Sequence, residues 1–203
     1  AHEHAEEAHE HAEDGHDDAE DGHDDDGHAH DDDIDPHFWL DPTRLAQVAD
    51  AVAEQLAEVD SAGAADYAAN AERLTEDLAA LDAELEAGLA SCDSRTIVVS
   101  HAAYGYLAEA YDLDQRSISG VDPDTEPSPA RLAEIGAVVA EEDVSTIFTE
   151  SAVGAQVAET LAGDLGVRTA VLDPLEIQAD EDADYQQVMR ANLEALQEAL
   201  GCR

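Results

Sequence analysis

Thr96-Ile97-Val98-Val99-Ser100-His101 is four β-branched residues followed by a serine and a histidine, and the chain changes its period here. Upstream, apolar residues recur every three or four positions; downstream, short apolar runs alternate with amphipathic stretches. The spacing predicts strands over 96–100, 115–119, 145–149 and 168–172. It predicts helices over 102–111, 128–142, 153–165 and 184–200, with Gly166 stopping the third. Four strand–helix units in succession argue for an α/β lobe in which a four-stranded parallel sheet is flanked by helices. Open parallel sheets bind ligands beyond the carboxyl ends of their strands. His101, Glu150 and Asp173 all follow strands at that end. Each has a purely structural alternative: His101 as a helix N-terminal histidine, Glu150 as the cap of the next helix, Asp173-Pro174 as a plain turn.

Upstream of the strand, residues 64–90 read as one helix with Tyr67, Leu74, Leu78, Leu81, Leu85 and Leu89 on a stripe. At 1.5 Å per residue it is roughly 40 Å long, enough to cross a domain or join two. Residues 42–59 read as a shorter helix with Leu45, Val48, Ala49, Val52, Leu56 and Val59 at helical spacing, Asp41 as N-cap and Pro42 at N1. Before it stands Asp35-Pro36-His37-Phe38-Trp39-Leu40-Asp41-Pro42, with the chain's single tryptophan. The two prolines push Asp35 and Asp41 toward extended backbone. His37 is thereby expected on a short rigid loop anchored by Phe38, Trp39 and Leu40, either as a ligand or as an incidental member of an aromatic plug. A His, His, carboxylate set from His37, His101 and Asp173 suits a divalent ion, zinc's N/O preference being the natural match.

Residues 1–33 form a His/Asp/Glu tract without a large apolar residue, so the tract cannot bury enough surface to offset its ordering entropy. Eight of the ten histidines lie in it, at positions 2, 4, 9, 11, 16, 23, 28 and 30. That composition points to weak, multi-site metal binding, the alternative being a solvated acidic tail. The tract holds 16 of the 51 acidic residues, leaving 35 against eight arginines and a formal charge of −27 for the rest. Such a surface repels nucleic acid and anionic membranes. The absence of lysine, with acidity spread through the foldable part, is the pattern of a halophilic protein, where salt screens self-repulsion. Cys92 and Cys202 have no metal-motif spacing; one disulfide across a lobe, suited to an extracytoplasmic site, and two buried thiols are both open. No apolar run is long enough to span a membrane and no signal peptide is visible. The abrupt start inside low-complexity sequence is that of a mature fragment, a truncated chain or a misplaced start.

Residues 35–42, Ser100-His101-Ala102-Ala103-Tyr104-Gly105-Tyr106-Leu107, Glu126-Pro127-Ser128-Pro129-Ala130-Arg131-Leu132, Ile147-Phe148-Thr149-Glu150 and Val171-Leu172-Asp173-Pro174-Leu175 occur in that order. The series resembles the motifs of the metal-binding solute-binding proteins of zinc and manganese ABC importers, from residue 35 to the C-terminus. In that family two α/β lobes joined by a long helix flank one metal ion. The resemblance implies a remnant of the N-terminal lobe over 35–63, the linker helix over 64–91 and the C-terminal lobe over 92–203, behind the disordered tract 1–34. It implies His37, His101 and Asp173 as metal ligands and Glu150 as a residue close behind them. Manganese members carry glutamate where this chain has His101, so the zinc branch is the nearer match, with Mn²⁺ the alternative cargo. The family's N-terminal lobe begins well upstream and supplies a further histidine, so at most three of four ligands are expected in this chain.

The expected function is non-enzymatic: an extracytoplasmic monomer, lipid-anchored in its full-length form, that captures Zn²⁺ and delivers it to a membrane ABC permease. Two alternatives stand beside it. A zinc hydrolase would use an open coordination position, but no HExxH run or nucleophile constellation is present. A metal-buffering cell-surface or adhesion protein would need no permease.

Overall fold

The computed structural model describes residues 34–150, 155–177 and 181–203, so the histidine-rich tract lies outside the described residues. Among the described residues ten regular elements follow a short 3-10 turn at Phe38–Leu40: α1 (Pro42–Val59), α2 (Ala64–Leu89), β1 (Thr96–Val99), α3 (Gly105–Ala110), β2 (Asp114–Ser117), α4 (Pro129–Glu141), β3 (Thr146–Thr149), α5 (Ala155–Leu165), β4 (Arg168–Val171) and α6 (Tyr185–Leu200). The strands form one parallel sheet in the order β2-β1-β3-β4. From β1 the chain crosses to one side to make β2, and from β3 it crosses to the other to make β4. The crevice between the carboxyl ends of β1 and β3 is therefore the topological switch point, where ligands of such sheets bind. His101 and Glu150 stand at its two lips.

Strand alternation divides the core in two. Ile97, Val99 and Phe148 point to one face and pack with Leu81, Leu85 and Leu89 of α2 and Met189, Leu193 and Leu196 of α6. Val98 and Ile147 point to the other and meet Ile135 and Val139 of α4 and Ala158 and Ala162 of α5. Helices α2 and α6 approach closely at Gly88, whose carbonyl accepts from Gln197 Nε2–H at 3.2 Å; a Cβ there would lie 2.7 Å from that nitrogen. The ends of this lobe are joined by a Cys92–Cys202 disulfide.

Helix caps follow the sequence signals. Asp41 accepts from the Thr43 and Arg44 N–H groups with Pro42 at the first position, and Ser128 caps α4 ahead of Pro129. Asp184 and Gln187 form a capping box on α6. Gly166 takes the left-handed conformation after α5 (φ 72°).

One reading shifts. Residues 102–104 are not helical: the Ala102 N–H goes to the Gly120 carbonyl and the Tyr104 N–H to Gln115 Oε1, so α3 starts only at Gly105 and His101 stays on a loop. The start of the expected helix at 153 and 154 falls outside the described residues. The stripe of α1 does not face inward: Val48, Val52, Leu56 and Val59 are exposed, and the side of α1 turned to α2 carries Ala53 and Ala57, which line an open groove with Ala64, Ala68 and Ala71 and with acidic residues. Leu74, in the first half of α2, is exposed as well. Among the described residues no helix is long and apolar enough to cross a membrane.

Candidate metal centre

The loop before α1 delivers His37 in a fixed pose. Asp35 Oδ1 accepts from the His37 backbone N–H (2.9 Å) and lies 2.6 Å from its Nδ1, which orients the ring and turns Nε2 away from the loop. The loop is tied down by Tyr106, whose hydroxyl donates to the Asp35 carbonyl (3.1 Å), and by Tyr185, whose hydroxyl donates to the Trp39 carbonyl (2.7 Å). Burial, with Asp41 adding to it, pushes the Tyr185 phenol upward, so it stays a donor. His37 is 1% exposed, and its ring meets those of Trp39 and His101 edge-on, at centroid distances of 5.3 and 5.4 Å.

His101 comes from the opposite side, two residues past the buried strand β1, and is also 1% exposed. Its Nδ1–H donates to Glu150 Oε1 at 2.5 Å, and the Ser100 hydroxyl donates to the same oxygen. Burial disfavours the imidazolium, but the hydrogen bond and charge of Glu150, joined by Glu176, outweigh it and raise the His101 pKa above the ordinary 6.5. Among the described residues the fully buried His101 Nε2 makes no hydrogen bond, with a Glu176 carboxylate oxygen 3.5 Å away. An orphaned buried lone pair of this kind is costly unless something binds it.

The carboxylate that meets the two imidazoles is Glu176. Its Oε1 lies 2.7 Å from His37 Nε2 and 3.5 Å from His101 Nε2. Donor atoms of His37, His101 and Glu176 all fall within 4.8 Å of one another. Tetrahedral zinc, with bonds of about 2.0–2.2 Å, holds neighbouring donors roughly 3.3 Å apart. The His101–Glu176 spacing already fits, and the His37–Glu176 spacing needs to open by about half an ångström. The second nitrogen of each imidazole is donated to a carboxylate, Asp35 or Glu150, the arrangement that raises ligand basicity and holds the ring.

Asp173, expected in this place because it follows the last strand, is differently engaged. Its Oδ1 accepts from the Leu175 N–H at 2.8 Å, closing an Asx turn. Leu175 then takes left-handed backbone (φ 58°), which costs a non-glycine residue about 1–2 kcal/mol. That turn carries the chain round so that the carboxylate three residues on reaches the histidines. The signal was present in Asp173-Pro174, an Asx-turn pair, which moves the outward-pointing acid to Glu176. Tyr104, between these groups, is held far above the ordinary phenol range by burial and by Glu150, Asp173 and Glu176; it donates to the Leu172 carbonyl at 2.6 Å.

The family model for the periplasmic component A of the zinc-uptake complex, ZnuA, matches residues 1–199. The chain belongs to the ZnuA family. The zinc-binding protein AdcA of Streptococcus pyogenes serotype M6 is 39% identical over 166 residues, 80% of this chain but 32% of the relative. Of solved structures, the laminin-binding protein Lbp of Streptococcus pyogenes superposes with a TM-score of 0.78 at 36% identity, covering 82% of this chain and 65% of that one. A Zn(II)-bound mutant variant of AdcAII from Streptococcus pneumoniae gives a TM-score of 0.76 at 37% identity, covering 82% and 61%. This ZnuA-family chain thus spans about a third of the curated relative and under two thirds of the solved ones. Its parallel sheet and flanking helices are those of the ZnuA fold.

Proposed function

We propose that the chain is the zinc-holding part of an extracytoplasmic solute-binding protein that captures Zn²⁺ and passes it to an ABC permease. His37, His101 and Glu176 are the ligands, and a fourth position is left for a donor outside this group. Asp173 acts as the turn-former that presents Glu176, and Glu150 as the residue that holds His101. The observation that carries the reading is the buried, unpartnered His101 Nε2 aimed at Glu176 beside a second oriented imidazole. Support also comes from the zinc-binding and zinc-uptake names of the relatives. Two nitrogens and one oxygen favour zinc over manganese, which prefers an oxygen-rich shell. The role is capture and release without chemistry on a substrate, and the protein acts as a monomer. Residues 1–33 serve as a low-affinity collector, by composition.

Calorimetric titration of the chain with Zn²⁺ and with Mn²⁺ tests this. The expected result is a tight zinc phase that survives deletion of residues 1–33, is lost in Glu176→Gln, and is much weaker for manganese. Loss of the tight phase with the tract, or its persistence in Glu176→Gln, overturns the ligand assignment.

A further inference from the structure

We infer that Asn192, on α6, is a positioning residue for zinc capture that sets where Glu176 stands; the inference rests on Glu176 being a ligand. Asn192 is a polar side chain on the core-facing side of α6, 3% exposed. Its Oδ1 accepts from the Asp173 N–H and its Nδ2–H donates to the Asp173 carbonyl, both at 2.8 Å. An amide offers one acceptor and one donor at a fixed spacing, matching the two backbone groups of a single residue. Asn192 therefore acts as a one-residue extension of the sheet. The ladder between β3 and β4 ends with the Leu172 N–H on the Thr149 carbonyl at 2.9 Å, and Asn192 takes over at the next residue.

The rest of the loop is pinned in sequence. The Pro174 carbonyl accepts from Trp39 Nε1–H (2.8 Å) and the Leu175 N–H goes to Asp173 Oδ1. Leu175 is held in left-handed backbone, a conformation that persists only when its surroundings over-determine it. Glu176 itself is 31% exposed in its side chain, so its placement depends on the backbone it leaves from. Of the anchors, only Asn192 grips both polar groups of one residue, and it does so from a rigid helix. Its hydrogen bonds go to the Asp173 backbone, so it acts through the backbone of residues 173–175.

The test is a double-mutant cycle on the full chain. Zinc affinity is measured by competition with a chromophoric chelator, and zinc release by mixing with excess EDTA, for wild type, Asn192→Ala, Asn192→Asp, Glu176→Gln and Asn192→Ala/Glu176→Gln. Asn192→Asp is isosteric, so it changes the hydrogen-bond pattern and leaves the packing volume alone. Asn192→Ala and Asn192→Asp are each expected to weaken zinc binding about 10–100-fold. The loss should be mainly faster release. In the Glu176→Gln background the same Asn192→Ala change is expected to cost less than about three-fold, because contacts that act through one another are not additive. A purely structural role would cost the same in both backgrounds. Equal losses in the two backgrounds overturn the inference, as does an Asn192→Asp affinity within about three-fold of wild type. Should far-UV circular dichroism show Asn192→Ala unfolded, Asn192→Asp with and without Glu176→Gln decides by the same criteria. If Glu176→Gln weakens zinc and the Asn192 variants do not, the positioning role alone fails. If Glu176→Gln leaves zinc affinity unchanged, the ligand reading fails and this inference with it.

Discussion

His101 and Glu150, 49 residues apart in sequence, meet across the crevice between β1 and β3 with Nδ1 and Oε1 2.5 Å apart. That pairing leaves the other ring nitrogen as the lone pair available to a metal. Glu150→Gln keeps an oxygen that accepts from Nδ1–H but removes the charge, so zinc affinity should fall by about ten-fold or somewhat more. It should fall less than in Glu176→Gln, which alters a ligand directly. Competition titration on the two variants orders them; a larger loss for Glu150→Gln would exchange their roles.

The same pairing sets a pH dependence. Burial opposes charge on His101, yet Glu150 and Glu176 raise its pKa in the folded, ion-free chain. A folded-state pKa above the unfolded value adds stability that is full below about pH 6.5 and is lost as pH rises through the folded value. Zinc needs the neutral imidazole, so its affinity should run the opposite way, falling with acid from above pH 6.5. Melting temperature from pH 8 to 6 should therefore rise for the ion-free chain while the zinc-induced increment shrinks. His101→Gln should flatten the ion-free part of this trend; an unchanged slope would assign it to other groups.

The disulfide joins residues 110 apart. Closing a loop of that order constrains the unfolded chain by about 4–5 kcal/mol in the entropy model, with 2–5 kcal/mol typical when native disulfides are removed. Cys92→Ser/Cys202→Ser should lower the melting temperature by roughly 5–20 °C. Its zinc affinity should be retained, since the bridge sits at the amino-terminal end of the sheet, away from His101. Scanning calorimetry and zinc titration on this variant check both halves.

Much of the proposed site was legible because the sheet imposes it. Three short apolar runs with a polar donor at each carboxyl end place His101 and Glu150 beside a switch point whatever the loops do. His37 was legible from the prolines and aromatics that fix its loop. Glu176 was not, because an Asx turn and a left-handed Leu175 decide which acid of the 173–176 run faces the histidines, and neither has a periodicity. The outward facing of the α1 stripe was not legible for a related reason. Periodicity shows that an apolar stripe exists, while the groove against α2 is lined by alanines and acidic residues that carry no such pattern.

Salt should matter as well. The foldable part carries 35 acidic residues against eight arginines. Its self-repulsion is unscreened as the Debye length grows from about 3 Å at 1 M to 30 Å at 0.01 M. Circular dichroism should show the ion-free chain melting at progressively lower temperature as salt is withdrawn. A melting temperature constant from molar to millimolar salt would remove the halophilic reading.

The central claim is that the unpartnered nitrogen of His101 is a zinc ligand. Zinc affinity of wild type and His101→Ala, each lacking residues 1–33 so that the tract histidines do not contribute, measures it directly by competition with a calibrated chelator at pH 7.5. The account predicts a loss of at least about 100-fold in His101→Ala, since both a ligand and its Glu150 support are removed from the ion. Equal affinity in the two proteins would contradict it.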